Sequence, residues 1–196
     1  VDGFAFKEAY IPVKDRPEID QWILSSLNTL IKTVQQSMDD YEPTQAGRAI
    51  EDFVDAHLNT TNTKILDLIN KTNSISFHIR RGDFMNNSNI NLFGNICNAE
   101  YYKKAKAEIE QKIKDPHYFI FSNDMDWVKS NLEFSTVTYV EGNIGQNSWI
   151  DLFLMTKCKN NIIANSSFSW WGAWLNDSID KITIVPQEFI SGKEFV

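Results

Sequence analysis

Asn161-Ile162-Ile163-Ala164-Asn165-Ser166-Ser167-Phe168-Ser169-Trp170-Trp171-Gly172-Ala173-Trp174-Leu175-Asn176 runs from a short apolar stretch, through a corner of small polar residues, into a segment with three of the chain's six tryptophans in five residues. An apolar run of strand length that leads straight into a helical segment is the turning point of a strand–helix unit. The corner leaves backbone N–H groups and hydroxyls at a helix N-terminus, where an anion can bind. Two readings stand open for it. Either Ser166 or Ser167 is only an N-cap and the tryptophans are core, or the corner is one wall of an anion site.

Outward from this stretch, strands and helices alternate. Ser74-Ile75-Ser76-Phe77-His78-Ile79 alternates strictly and reads as a strand. Tyr101, Tyr102, Ala105, Ile109 and Ile113 mark a helix with Asn98 as its cap. His117-Tyr118-Phe119-Ile120-Phe121 is a second strand, and Trp127, Val128 and Leu132 belong to a short helix. Residues 136–140 form a third strand, and residues 149–157 a helix that is apolar almost all round and therefore buried. Residues 161–164 and 181–185 give a fourth and a fifth strand, the last stopped by Pro186. Such spacing implies crossover connections and an α/β fold with a mostly parallel sheet, covered on both faces. Before it, residues 1–58 read as an α-helical hairpin after an irregular, turn-rich lead to Pro17: from Glu18 on, Ile19, Trp22, Ile23, Leu27, Leu30, Ile31, Val34 and Met38 share one helical face. Asp39-Asp40-Tyr41-Glu42-Pro43 breaks that helix, and Thr44 caps a second.

Composition narrows the class. Hydrophobic content of 42% with 13% aromatic residues is globular, and a net charge of −7 leaves no global basic footprint for nucleic acid. Cys97 and Cys158 stand far apart in no metal spacing, which reads as a reduced, cytoplasmic chain, peripheral at most to the inner membrane. No apolar run reaches spanning length and no signal peptide opens the chain, so the Asn-x-Ser/Thr sequons at Asn59, Asn70, Asn86, Asn165 and Asn176 read as compositional accident. The start at Val1 reads as a fragment.

Ligands of parallel α/β sheets bind at the carboxyl ends of the strands. His78-Ile79-Arg80-Arg81-Gly82-Asp83 ends the first strand, Ser122-Asn123-Asp124 the second, and Asn165-Ser166-Ser167 the fourth. Arginine forks beside a helix N-terminus suit a nucleotide diphosphate without a glycine-rich P-loop. Each residue also has a plainer reading: His78 as a hydrogen-bonded core histidine, Arg80 and Arg81 as surface charges paired with Asp83, and Asp124 as an N-cap. Asp151, inside an apolar helix, requires a specific donor, which a guanine edge could supply. Lys157 and Lys159 read as solvated.

Two resemblances follow. Val1-Asp2-Gly3-Phe4, Arg16-Pro17-Glu18-Ile19-Asp20-Gln21-Trp22-Ile23-Leu24-Ser25, Asp40-Tyr41-Glu42-Pro43-Thr44, Arg48-Ala49-Ile50 and Asp52-Phe53-Val54 resemble the start of the anticodon-binding region of bacterial isoleucyl-tRNA synthetases, over residues 1–58. The synthetase catalytic signatures are absent, and the likeness stops at Asn59-Thr60-Thr61-Asn62-Thr63. Residues 63–196 resemble the bacterial α-1,2-fucosyltransferases (glycosyltransferase family eleven). The match rests on His78–Asp83, Glu100-Tyr101-Tyr102, Phe119-Ile120-Phe121-Ser122-Asn123-Asp124, Trp127-Val128, the run from Asp151 to Asn176, Lys181-Ile182 and Pro186.

The second resemblance implies a Rossmann-like domain, one half of a two-domain GT-B-type enzyme. It implies metal-independent, inverting transfer of L-fucose from GDP-β-L-fucose to a galactose hydroxyl of a glycan acceptor, with no cofactor. Arg80 and Arg81 would neutralise the β-phosphate, Asp83 would hold them, and His78 would hydrogen-bond the donor. Asp124 would contact sugar or ribose, Asp151 would read guanine, and Ser166, Ser167 and Phe168 would cradle pyrophosphate and base. No residue is assigned as the base. The family's glycine-rich Gly-Gly-Leu-Gly-Asn-Gln stretch and N-terminal domain are replaced by the synthetase-like hairpin, so the chain reads as a chimeric or truncated reading frame joined near residues 59–63. Its alternatives are a non-catalytic GDP-binding remnant or a synthetase fragment with tRNA-binding ancestry.

Overall fold

Alternation along residues 73–79 sends Ile75, Phe77 and Ile79 to one side of a strand and Ser74, Ser76 and His78 to the other, and all six are buried. A strand buried on both faces must be central, and the computed structural model, which describes residues 53, 54 and 56–194, places it there. Strands β1 (Asn73–Ile79), β2 (Pro116–Ser122), β3 (Val137–Val140), β4 (Asn160–Ile162) and β5 (Thr183–Ile184) form one parallel sheet in the order β3-β2-β1-β4-β5. Helix α1 (Thr60–Lys71) leads into β1, and α2 (Ala99–Lys112), α3 (Met125–Asn131), α4 (Ser148–Lys157) and α5 (Ser167–Trp174) connect successive strands. A two-stranded antiparallel ribbon, β6 (Glu188–Ile190) and β7 (Lys193–Glu194), follows the sheet.

The hydrophobic residues divide between two layers. On one face, Ile75, Phe77 and Ile79 pack with Tyr102 and Ile109 of α2 and Val128 of α3. On the other, Phe119 and Phe121 pack with Ile65 and Ile69 of α1, Ile150, Leu154 and Met155 of α4, and Phe168 of α5. The α/β parallel sheet read from the sequence is therefore present, with all five strands at the expected places. Asn98 caps α2 as expected, its side-chain oxygen accepting from the Tyr101 N–H at 3.0 Å.

Three features depart from the sequence reading. Helix α1 was not foreseen: Asn59 Oδ1 accepts from the Asn62 N–H at 2.9 Å, and Ile65 and Ile69 are buried. The β6–β7 ribbon was not foreseen. Trp174 is about half exposed and stacks on Trp170 (centroids 5.3 Å apart, planes at 10°) rather than on the sheet. The chain divides into two units, Val1–His57 with Val196 and Leu58–Phe195. The expected hairpin lies outside the described residues, except for Phe53, Val54, Ala56 and His57, which are helical.

Buried amides fix the far end of α5. Asn176 Nδ2 donates to the Cys158 carbonyl (2.6 Å) and to Asn161 Oδ1 (2.7 Å), and Asn161 Nδ2 donates to the Met155 carbonyl (3.1 Å). Lys181 Nζ reaches the Ala173 carbonyl (2.8 Å) and the Asn176 carbonyl, satisfying acceptors that a helix C-terminus leaves open. Helix α4 packs against both α1 and α5, and Gly172 makes the second contact possible. A Cβ there would lie 3.0 Å from Met155 Cβ and 3.1 Å from its Sδ. Gly172→Val is expected to destabilise the fold by ~1–3 kcal/mol through overpacking, seen as a lower urea midpoint with an unchanged slope.

Candidate functional site

In the order β3-β2-β1-β4-β5 the chain direction of growth reverses between β1 and β4, the switch point at which ligands of open parallel sheets bind. Register pairs Phe77 with Ile162 across that junction. The residues just beyond, Arg80 and Arg81 on one side and Asn165, Ser166 and Ser167 on the other, therefore leave the sheet at the same edge. Strand β2 pairs with β1 through Ile79 and Ser122, so Asn123 and Asp124 emerge beside the arginines.

Arg81 is held on three sides. Its backbone N–H donates to Asn123 Oδ1 at 2.9 Å, its Nε donates to Asp124 Oδ2 at 3.2 Å, and its Cζ lies 4.0 Å from the Trp127 ring centroid. The other oxygen of Asp124 accepts from the Trp127 N–H at 3.2 Å and caps α3, while Ser122 Oγ accepts from the Asp124 N–H at 3.0 Å. Gly82 lets the two loops meet, because a Cβ at that position would come within 2.3 Å of Asn123 Nδ2. Arg80 is looser: Nη2 pairs with Asp83 at 2.8 Å, and both side chains are at least a third exposed.

These pairings redistribute the expected roles. Asp83 engages Arg80 only, and the carboxylate that holds Arg81 is Asp124. Each Asp124 oxygen accepts one hydrogen bond within the protein, from Arg81 Nε and from the Trp127 N–H. Asn123 and Trp127 were given no role by the sequence reading, although a Ser-Asn-Asp corner at a strand end is a visible signal for the former.

Across the junction, Ser166 occupies the N-cap position of α5 but makes no side-chain capping bond. Ser169 Oγ turns back instead, accepting from the Ala164 N–H at 3.2 Å. The N-terminal N–H groups of α5 thus lack the side-chain acceptor that a serine cap supplies. Ser166 is buried, Ser167 exposed and Phe168 half-buried. The Phe168 ring lies 5.8 Å from that of His78, linking α5 to β1. His78 is 5% exposed, and its Nδ1 finds no hydrogen-bond partner among the described residues. Burial, with Arg80 nearby, pushes its pKa down to about 3, so the ring is neutral at ordinary pH and offers a hydrogen bond rather than a charge. Asn165 donates through Nδ2 to the Phe93 and Phe189 carbonyls (3.1 and 3.2 Å), tying the loop after β1 and the β6 strand to the corner. Its buried Oδ1 is likewise unpartnered among the described residues.

Asp151, in the first turn of α4, has the donor that its burial demands, and that donor is protein. Asn143 Nδ2 reaches Asp151 Oδ1 at 2.8 Å, and Asn143 in turn exchanges amide hydrogen bonds with Asn62 of α1 at 2.8 and 3.1 Å. Nothing in the Glu141-Gly142-Asn143 loop marked Asn143 in advance. Among the described residues no three His, Cys, Asp or Glu side chains gather as a metal-holding group, and no helix is long and apolar enough to cross a membrane.

Burial raises the Asp151 pKa from 3.8 to about 6, against the hydrogen bond from Asn143, which lowers it. Folded chains therefore keep a proton that unfolded chains release between pH ~4 and ~6, and this group's contribution to stability is lost as pH rises through that window. Asp151→Asn retains the acceptor for Asn143. The stability of the wild type relative to this variant is expected to fall between pH 4 and 7 in urea titrations, and parallel curves would show that burial does not set the protonation of Asp151.

The model of glycosyl transferase family 11 matches residues 41–195. An α-1,2-colitosyltransferase of Escherichia coli is 37% identical over 149 residues, 74% of this chain and 50% of that protein. The O-antigen biosynthesis glycosyltransferase WbnK of Escherichia coli is 43% identical over 121 residues, 61% of this chain and 40% of that protein. The chain thus spans about half the length, or less, of these curated relatives. An isoleucine–tRNA ligase of Bacteroides thetaiotaomicron is 62% identical over 58 residues, 30% of this chain and 5% of the ligase, which matches in length the ligase-like segment read from the sequence.

Proposed function

Since the chain belongs to glycosyl transferase family 11, we propose that residues 63–196 form the donor-nucleotide half of a GT-B-type glycosyltransferase that takes GDP-β-L-fucose and delivers fucose, with inversion, to a galactose hydroxyl of a glycan. The observation that carries this reading is Arg81. Its Nε is engaged by Asp124 and its guanidinium lies over the Trp127 ring, while its two terminal nitrogens make no hydrogen bond among the described residues. A guanidinium so held presents a fork for phosphate oxygens and spends no reorganisation when the leaving diphosphate gains charge.

The remaining roles follow from position. Arg80 joins the diphosphate once Asp83 yields it. The first turn of α5, at Ser166, Ser167 and Phe168, offers N–H groups to the second phosphate. Neutral His78 and the Asn165 oxygen, buried with open hydrogen-bonding capacity, complete the wall behind the donor. Asp151 accepts the guanine edge with the oxygen that Asn143 leaves free. No metal enters this scheme, the arginines supplying the positive charge. We place the reaction on the cytoplasmic side of the inner membrane, and assign no nucleic-acid partner to a chain of net charge −7.

A second reading is GDP binding without turnover: the side chains of this site serve the donor, and none is assigned as the base that an inverting transfer needs.

GDP is expected to bind in calorimetry, unaffected by a chelator, and Arg81→Ala to weaken it by at least about tenfold, the scale of one charge-assisted hydrogen bond. A chain that ignores GDP at millimolar concentration would sink the donor-site reading. Release of fucose from GDP-fucose onto a galactoside separates the enzyme from the remnant.

A further inference from the structure

The two arginines that leave β1 differ in how they are restrained. Arg80 Cζ stands 5.5 Å from the Phe84 ring and its carboxylate partner is exposed, whereas Arg81 Cζ stands 4.0 Å from the centroid of Trp127 and its side chain is only 15% exposed. Trp127 is not redundant with the core: it packs at the edge of the α2–α3 layer, 6.3 Å from the Tyr102 ring, while it also meets the guanidinium. Asn123, an exposed residue, spends its oxygen on the Arg81 N–H, and its Nδ2 occupies the space that a side chain at residue 82 would need.

We infer that Trp127 and Asn123 are positioning residues, which hold the Arg81 guanidinium in its diphosphate-binding pose before the ligand arrives: Trp127 from beneath the plane, Asn123 through the backbone. The ligand named here rests on the GDP reading above. The physical basis is that a free arginine side chain has many rotamers, so an arginine fixed in advance loses less entropy on binding. Asp124 sets the direction of the guanidinium through Nε, and the ring sets its plane. The two constraints leave only the terminal nitrogens facing outward.

Two measurements test this, one of them without ligand. In a proton–nitrogen spectrum the Arg81 Nε–H resonance, assigned by its loss in Arg81→Lys, is expected upfield through the ring current of Trp127. It should move to the ordinary position in Trp127→Leu and stay shifted in Trp127→Phe. In titrations, Trp127→Leu and Asn123→Ala should weaken GDP about tenfold but GMP less than about threefold, with Trp127→Phe near wild type. Equal losses for GDP and GMP would make both residues merely structural and overturn the inference, as would unchanged GDP affinity in both variants. A wild-type chain that ignores GDP while keeping the shifted resonance overturns the donor reading and the diphosphate as ligand, and leaves the restraint on Arg81 established.

Discussion

Strand β4 lies beside β1 and not beside β3, and most of the molecule is arranged by that displacement. The connection after β3 must cross the sheet, and α4 makes the crossing on the face already lined by α1, with α5 returning alongside it. A helix wedged between two others and a sheet has to be apolar on most of its surface, which is why Trp149-Ile150-Asp151-Leu152-Phe153-Leu154-Met155 carries a single charge. Close packing then limits the side-chain volume at the α4–α5 contact, and Gly172 is the point where the limit is felt. The same crossing leaves the ends of β1 and β4 side by side with no connection between them, so the groove at their carboxyl ends is open to a ligand.

The interior carries many polar groups, and their cost is met locally. Unpaired buried amides cost roughly 1–3 kcal/mol each, so Asn160, Asn161 and Asn176 are placed where backbone groups need partners: Asn160 Oδ1 accepts from the Ile182 N–H, and Asn176 serves Cys158 and Asn161. Asn62, Asn143 and Asp151 form a similar chain between α1 and α4. His78 Nδ1 and Asn165 Oδ1 break this economy. Both flank the strand ends at the switch point, the region in which open parallel sheets bind their ligands.

Much of the architecture was legible because its periodicities are strong. The alternation in β1, the apolar run of β2, and the Asn-Ser-Ser corner each carry enough local signal to locate a strand end, and strand ends locate the site edge in a parallel sheet. Helix α1 escaped notice because its apolar residues, Ile65, Leu66, Leu68 and Ile69, are confined to its second half and follow a polar first turn, although Asn59 is a legible cap. Pairing of charges was the least legible feature. Asp83 is two residues from Arg81 and Asp124 is 43 away, and proximity along the chain favours the former. Parallel pairing of β1 with β2 decides for the latter, a consequence of sheet register that only the fold reveals.

The two arginines consequently differ in what an anion must undo. Arg80 and Asp83 form an exposed pair, three residues apart, and pairs of that kind contribute ~0–1 kcal/mol, so an incoming phosphate can displace Asp83 at small cost. Asp124 is not displaceable in the same sense. Its second oxygen caps α3, and its removal from Arg81 would leave a partly buried guanidinium against Trp127 without its counter-charge. On the donor-site proposal, an anion would add to the Arg81 arrangement and substitute into the Arg80 arrangement. With His78 held neutral by burial, Arg80 and Arg81 are the cationic side chains that follow β1 among the described residues. One is fixed in place and the other is free to follow the ligand, a division suited to a leaving group whose charge grows as its bond to the sugar lengthens.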